Sequence, residues 1–209
     1  MSNTENGNKT LWNDIFRPVL VLLIISAVVA AALAGANSVT KAKIAELTER
    51  QKTESMQSLF PGAQFNQEKS SDLVPTSSVM PFEFYRVETN GKHEGYIFST
   101  SAKGYGGDVS VMTAVTADGK IKAVKILDVS NETPGLGQNA AKKEFYGQLE
   151  GLSAENEIAL NKIAASAEKN EITPVTGATI TSKAVKEAVN IAIDRYKFIK
   201  EAEGGSNEK

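Results

Sequence analysis

The sequence predicts an α+β protein in which one long apolar helix precedes an antiparallel sheet with flanking helices. Three observations carry that expectation. Two strand-turn-strand patterns occupy the middle of the chain, helical periodicity takes over after them, and the stretch from Pro18 to Thr40 contains no charged residue. Strands followed by helices, rather than alternating with them, point to an antiparallel sheet and away from a doubly wound nucleotide fold.

The elements follow in order. Residues 1–17 form a polar N-terminal segment, whose first ten residues are expected to be disordered. Residues 18–40 read as a transmembrane helix. Val19 to Leu33 is almost wholly Val, Leu, Ile and Ala, and roughly 20 such residues at about 1.5 Å rise cross a hydrocarbon core of about 30 Å. A cleaved signal peptide is the rival reading, because Ala34-Gly35-Ala36 resembles a small-residue cleavage site. The run exceeds the usual h-region, and helical composition continues from Lys41 to Gln57, which favours an anchor. Lys9 and Arg17 precede the span, and Lys41, Lys43, Arg50 and Lys52 follow it. A literal positive-inside count would put the bulk of the chain in the cytoplasm, but the rule applies best to short loops and does not decide here.

Residues 41–80 are expected to be a helical linker and loop. Ile44, Leu47, Met56 and Leu59 are its candidate apolar contacts, Phe60-Pro61-Gly62 ends the helix, and Lys69 to Ser78 is a Ser-rich loop. Residues 81–200 form the main domain. Phe82 to Glu88 and Gly95 to Thr100 flank Asn90-Gly91, while Asp108 to Thr116 and Ile121 to Val129 flank Ala117-Asp118-Gly119-Lys120. Each is a hairpin signal. The strand from Ile121 is partly apolar on both faces, which predicts an interior position in the sheet. Asn139 to Leu149 and Ala154 to Lys169 fit short amphipathic helices separated by Gly151. From Thr181 to about Lys200, Val185, Ala188, Val189, Ala192, Ile193 and Tyr196 line one helical stripe. Residues 201–209, with Gly204-Gly205-Ser206, read as a disordered tail.

Composition narrows the function. Hydrophobic residues at 41% and charged ones at 23% of 209 describe a globular chain, and a net charge of -2 gives no reason to expect nucleic acid. The chain has no cysteine and a single histidine, His93. Thiolate zinc sites, iron–sulfur ligation, disulfides, thiol catalysis and multi-histidine metal centres are therefore excluded within this chain. His93 lies in the turn-like run Asn90-Gly91-Lys92-His93 and reads as an exposed loop residue.

Three runs carry candidate chemistry. Pro174-Val175-Thr176-Gly177-Ala178-Thr179-Ile180-Thr181-Ser182 is a hydroxyl-rich turn leading into the last helix. Free N–H groups and the helix dipole favour an anion there, so it suits a phosphorylated ligand. An ordinary helix cap uses the same residues. Thr176, Thr181 and Ser182 can donate to phosphate oxygens, Gly177 permits close approach, and Lys183 can neutralise the charge from the first turn. The second run, Lys103-Gly104-Tyr105-Gly106-Gly107-Asp108, allows a ligand near the backbone, although glycine loops between strands are common. The third, Asn131-Glu132-Thr133-Pro134-Gly135-Leu136-Gly137, builds a tight turn. Glu132 could accept a hydrogen bond from a ring N–H and Leu136 could pack against a flat ring, or both could serve the turn.

Taken together, Gly104-Tyr105-Gly106-Gly107, Glu132-Thr133-Pro134-Gly135-Leu136-Gly137 and Thr176-Gly177-Ala178-Thr179 resemble, in order and rough spacing, the covalent-FMN-binding domain family of RnfG and NqrC. The resemblance covers nearly the whole chain, and the 209-residue length is nearer the compact Rnf form. It implies FMN joined through its phosphate to Thr179, the threonine closing the motif, by a separate flavin transferase. The cofactor-binding set it implies is Thr179, Thr176, Gly177, Ala178, Thr181, Ser182, Lys183, Tyr105, Gly106, Glu132, Thr133, Gly135 and Leu136. It further implies an electron-carrying subunit of a membrane ion-translocating ferredoxin:NAD oxidoreductase, partnered by other membrane and iron–sulfur subunits, with no catalytic residue of its own. The location implied is the bacterial inner membrane, single-pass, with the flavin domain on the extracytoplasmic side. A membrane-anchored module holding FMN non-covalently is the alternative. Many relatives carry an aspartate where this chain has Thr173 and a histidine where it has Ser130.

Overall fold

A computed structural model describes residues 16–73 and 80–206. The disorder expected for the first ten residues, residues 74–78 of the Ser-rich loop and the last three tail residues lie outside the described residues. The chain divides into two units, residues 1–50 and 51–209.

Helix α1 (Arg17–Leu59) begins in the first unit, where the apolar run begins. Its Arg17–Ser38 stretch is 22 residues long, with every described side chain exposed. That length is about 33 Å at about 1.5 Å per residue, enough to cross a bilayer core of about 30 Å. The hydroxyls of Ser38 and Thr40 donate back to the carbonyls of Gly35 and Ala36, each at 2.8 Å, so neither needs water. The helix runs unbroken through Ala34-Gly35-Ala36 and on to Leu59. Ile44 and Leu47 are exposed rather than packed, whereas Met56 and Leu59, in the second unit, are buried.

The second unit is a five-stranded antiparallel meander in the order β1 (Gln64–Lys69), β2 (Glu83–Thr89), β3 (Lys92–Lys103), β4 (Asp108–Thr116) and β5 (Ile121–Asp128). Asn90 and Gly91 both take positive φ, 53° and 75°, so the first hairpin closes with the turn its sequence predicts. Thr116 closes the second, its N–H donating to the Lys120 carbonyl at 2.9 Å. The last helix, α4 (Thr179–Ser206), lies across β3 and β4. All six stripe residues from Val185 to Tyr196 are buried there against Phe84, Phe98, Val111, Val115 and Ile121. On the other face of the sheet, the end of α1 and its following turn place Met56, Leu59 and Phe60 on Val87, Ile97, Met112 and Ala114.

This two-sided cover corrects the expectation for β5, which is an edge strand. Ile121 and Val124 join the core under α4, while Ala123 and Leu127 pack on the opposite cluster. Apolar residues on both faces report two covered faces, not two neighbouring strands. The open edge is partly closed by Gly151 N–H donating to the Ile121 carbonyl and Ile121 N–H to that of Leu152, both at 2.8 Å.

Other expectations change. Strand β1 has one apolar residue, Phe65, in a polar sequence, so no alternation announced it. It pairs with β2 along its whole length, and the short helix α2 (Ser70–Leu73) follows where a loop was expected. The helix expected over 139–149 is broken into a 3-10 turn (Gly137–Ala141), α3 (Lys143–Tyr146) and a second 3-10 turn (Gly147–Leu149). The helix expected over 154–169 is absent. That stretch holds β6 (Ala159–Leu160), paired in parallel with β7 (Glu171–Ile172), and a 3-10 turn at Ala167–Lys169. Two asparagine side chains take its backbone hydrogen bonds instead. Asn170 accepts from Ser153 N–H at 2.9 Å and donates to the carbonyls of Ser153 and Asn156, and Asn190 accepts from Ile158 N–H at 2.8 Å.

Helix α4 runs past the expected end at Lys200, through Gly204 and Gly205 to Ser206. Its last turns are pinned by Glu203, which accepts from Tyr96 Oη at 2.7 Å and pairs with Arg86, itself paired with Glu68 at 2.7 Å. His93 belongs to β3, not to a loop, and stands edge-on to Tyr96 with 4.6 Å between ring centroids. Its Nδ1 is buried without a hydrogen-bond partner among the described residues. Burial, then the nearby Arg86, hold its pKa below the usual value.

Candidate functional site

The three runs converge on one carboxylate. Glu132 follows β5 in the turn 131–137 and is 2% exposed. Gly106 N–H donates to its Oε1 at 2.9 Å, the N–H groups of Tyr105 and Gly107 also point at it, and Thr181 Oγ1 donates to Oε2. A carboxylate only accepts, and every polar group around this one donates. Burial pushes its pKa upward, but the Thr181 hydroxyl and the backbone donors outweigh burial and hold it below the ordinary value.

The glycines are set by this close packing. A Cβ on Gly137 would stand 2.7 Å from Thr181 Oγ1 and 2.8 Å from Glu132 Oε2, and one on Gly104 would stand 2.4 Å from Glu132 Oε1. A Cβ on Gly106 would lie 1.8 Å from the Asn131 carbonyl oxygen. A side chain at Gly104 or Gly106 would push the glycine loop off Asn131 and Glu132, and one at Gly137 would crowd Glu132 and Thr181 at the start of α4.

The hydroxyl-rich run forms a tight turn before α4. Ala178 N–H donates to the Val175 carbonyl at 3.0 Å, with Gly177 at φ 76° inside the turn. Positive φ at that place suits glycine. Ser182 N–H donates to the Ala178 carbonyl at 3.0 Å, opening the helix. The N–H groups of Thr179, Ile180 and Thr181 precede this bond and have no intrahelical partner.

Beside them lies an open cleft of about 450 Å³, lined by Tyr105, Thr133, Leu136, Gly137 and the segment from Gly177 to Thr181. Tyr105 is 72% exposed, Ile180 52% and Leu136 45%, so its rim is unusually apolar. Of the residues the sequence singled out, Tyr105, Thr133, Leu136, Gly177, Ala178, Thr179 and Thr181 are on its wall. Gly135 turns the chain at φ 75°, where its carbonyl accepts from Asn139 Nδ2 at 2.6 Å. Thr176 and Lys183 are exposed, and Lys183 stands one helical turn after Thr179 on the same face.

Three of the residues singled out make their hydrogen bonds within the protein. Glu132 is buried and holds the loops together, which is the turn-serving alternative the sequence left open for it. The hydroxyl proton of Thr181 goes to Glu132, and that of Ser182 goes to the Ala178 carbonyl at 2.9 Å while its oxygen accepts from Val175 N–H. Both fix the turn. Conversely, Ile180 on the wall, Gly137 against Glu132, and Asn131 packed under Gly106 and Gly107 were missed. Gly137 closes the recognised hexapeptide and could have been found; Asn131 has no local signal.

An FMN-binding domain model matches residues 104–194, which span all three runs. The G subunit of the Na⁺-translocating ferredoxin:NAD⁺ oxidoreductase complex of Acetobacterium woodii is 38% identical over 194 residues, covering 88% of this chain and 93% of that protein. The chain belongs to the RnfG family. Other similar members are the G subunit of the proton-translocating ferredoxin:NAD⁺ oxidoreductase complex of Clostridium ljungdahlii, 39% identical over 54% of this chain and 59% of that one, and the G subunit of the ion-translocating oxidoreductase complex of Methanosarcina acetivorans, 28% identical over 87% and 94%. Among solved structures, Shewanella oneidensis NqrC matches with a TM-score of 0.52 at 20% identity, covering 59% of this chain and 62% of that one. The C subunit of the Na⁺-translocating NADH-quinone reductase of Parabacteroides distasonis matches with the same score at 21% identity, covering 65% and 76%. This RnfG-family chain therefore shares the NqrC fold.

Proposed function

We propose that this chain is the electron-carrying flavoprotein subunit of a membrane-bound ion-translocating ferredoxin:NAD oxidoreductase complex, with FMN joined through its phosphate to Thr179. The observation that carries the reading is the convergence of the three runs on Glu132, which leaves Thr179 on the cleft wall at the start of α4. The cleft fits such a group: its rim is apolar, and the N–H groups at the helix start stand on one side of it.

FMN supplies electron-transfer chemistry, and the chain supplies position and charge. A phosphoester on Thr179 retains about one negative charge, which the helix start favours by about 0.3–1 kcal/mol. Lys183 offsets that charge from the next turn, and Thr176 offers an exposed hydroxyl beside it. Tyr105, Leu136 and Ile180 give a flat ring its apolar walls, and Gly135 makes the turn that carries Leu136 there. In the attachment, the Thr179 Oγ–H bond breaks and an Oγ–P bond forms. The donor is a flavin nucleotide activated as a phosphoanhydride, whose other half leaves with the electron pair, and the proton passes to the flavin transferase. Other membrane and iron–sulfur subunits supply and remove electrons, and the flavin domain stands on the extracytoplasmic side.

Coexpression of the full chain with the transferase is expected to give a fluorescent flavin band that survives denaturing electrophoresis, and Thr179→Val is expected to abolish it. A band that persists in Thr179→Val moves the attachment elsewhere. Flavin released into the supernatant by acid precipitation would make the cofactor non-covalent.

A further inference from the structure

A second cleft, of about 460 Å³, is lined in part by Lys142, Phe145, Gln148, Thr173 and Thr176. At its centre one side chain bonds to three backbone carbonyls and one N–H. Gln148 Oε1 accepts from Thr173 N–H at 2.8 Å, and Nε2 lies within 3.2 Å of the Thr173 carbonyl, 3.3 Å of that of Phe145 and 3.4 Å of that of Glu144. The amide thus pairs with Thr173 on both its N–H and its C=O, as a neighbouring β-strand would.

The anchor is rigid. Gln148 sits between Phe145 and Leu149, which are 4% and 0% exposed and belong to the main core. Thr173 precedes Pro174, which restricts it to extended conformations, and Pro174 has no N–H to bond. The neighbours of this pair are fixed on either side: Ile172 in β7, whose carbonyl accepts from Asn161 N–H at 3.0 Å, and Val175, held by Ser182 Oγ at 2.9 Å. The backbone before Thr179 is therefore tied from behind at two places, while the side chains of Thr173 and Thr176 face outward.

We propose that Gln148 is a positioning residue for flavin attachment: it holds the segment Thr173–Thr176 extended, so that the transferase meets the sequence before Thr179 in its bound shape. The inference rests on the covalent reading above. Without the clamp the competent conformation is one of several, and apparent affinity falls by the fraction lost. Once the segment is seated, the reacting hydroxyl is unchanged.

The test is transferase kinetics with the detergent-solubilised full chain as acceptor and a flavin phosphoanhydride as donor. Gln148→Ala is expected to raise KM for the acceptor about fivefold, in line with two modest hydrogen bonds, with kcat within about twofold of the wild type. Hydrogen exchange at the Thr173 amide is expected to quicken while amides in the middle of α4 keep their protection. Gln148→Asn, which keeps the amide but loses reach, is expected to behave alike and serves if Gln148→Ala does not fold. Unchanged KM in a folded variant, or a loss confined to kcat, overturns the inference. A wild-type chain that accepts no flavin overturns the covalent reading itself.

Discussion

At the residue scale the site is organised by a carboxylate that is sealed away from the cleft it shapes. Glu132→Gln replaces one accepting oxygen with a donor, and either the N–H groups of the glycine loop or the Thr181 hydroxyl lose their acceptor. Leaving a buried donor unsatisfied costs about 1–3 kcal/mol. A fall of that size in unfolding free energy is expected for the full chain in detergent, measured by urea denaturation, together with weaker flavin incorporation. Two neighbouring glycines separate crowding from backbone strain. Gly137→Ala places a methyl 2.7 Å from Thr181 Oγ1, whereas a Cβ on Gly135 meets nothing within 4 Å. Gly135→Ala is expected to cost only its positive φ, about 1–2 kcal/mol, and to keep the flavin. Gly137→Ala is expected to lose flavin incorporation as well, and equal incorporation by the two variants would refute the close-packing explanation. The turn that leads into the helix at Thr179 was legible in the sequence, but the orientation of its hydroxyls was not. Thr181 turns inward because its partner lies 49 residues away in the chain, a contact that no local pattern encodes.

At the element scale, what was legible depended on where each segment finds its hydrogen bonds. The two hairpins and the α4 stripe were readable because their partners lie within the turn or along one face. Strand β1 and the 154–169 segment were not, since β1 gains its order from pairing with β2 and 154–169 from the side chains of Asn170 and Asn190. The far end of α4 belongs to the same class: its extension to Ser206 follows from Glu203 meeting Arg86 and Tyr96. That junction has a pH signature. His93 is held below its usual pKa near 6.5, with Arg86, Tyr96, Glu88 and Glu203 around it. The unfolded chain therefore takes up this proton first, so stability is full above about pH 6.5 and declines as pH falls toward the folded value. Glu203 is pushed up by burial but held low overall by Arg86 and Tyr96, so its contribution disappears only below the ordinary glutamate range near 4.3. Melting temperature followed by circular dichroism is expected to drop in two stages on acidification. His93→Phe is expected to flatten the stage that begins below about pH 6.5 and to leave the lower one, and an unchanged upper stage would assign it elsewhere.

At the scale of the whole molecule, the extracytoplasmic placement proposed for the flavin domain runs against a simple count of charges. Counting charges places it in the cytoplasm, since Lys41, Lys43, Arg50 and Lys52 outnumber Lys9 and Arg17. The physical basis of that rule is retention of short basic loops, and a domain of more than a hundred residues translocates largely regardless of its charge. Here the basic residues after the span continue in α1, which runs as one helix to Leu59 and into the folded unit. The count is thus taken on a segment to which the rule applies poorly, and the extracytoplasmic reading stands against it as a testable alternative. The chain offers a clean probe because it contains no cysteine. Ile163 is 97% exposed and lines neither cleft, so Ile163→Cys adds one accessible thiol without touching the proposed site. In spheroplasts of coexpressing cells, a membrane-impermeant maleimide is expected to label Ile163→Cys before lysis. A thiol introduced as Ser2→Cys, on the other side of the span, is expected to be labelled only afterwards. The reverse pattern would put the flavin domain in the cytoplasm and would require its transferase and electron donors to be there as well.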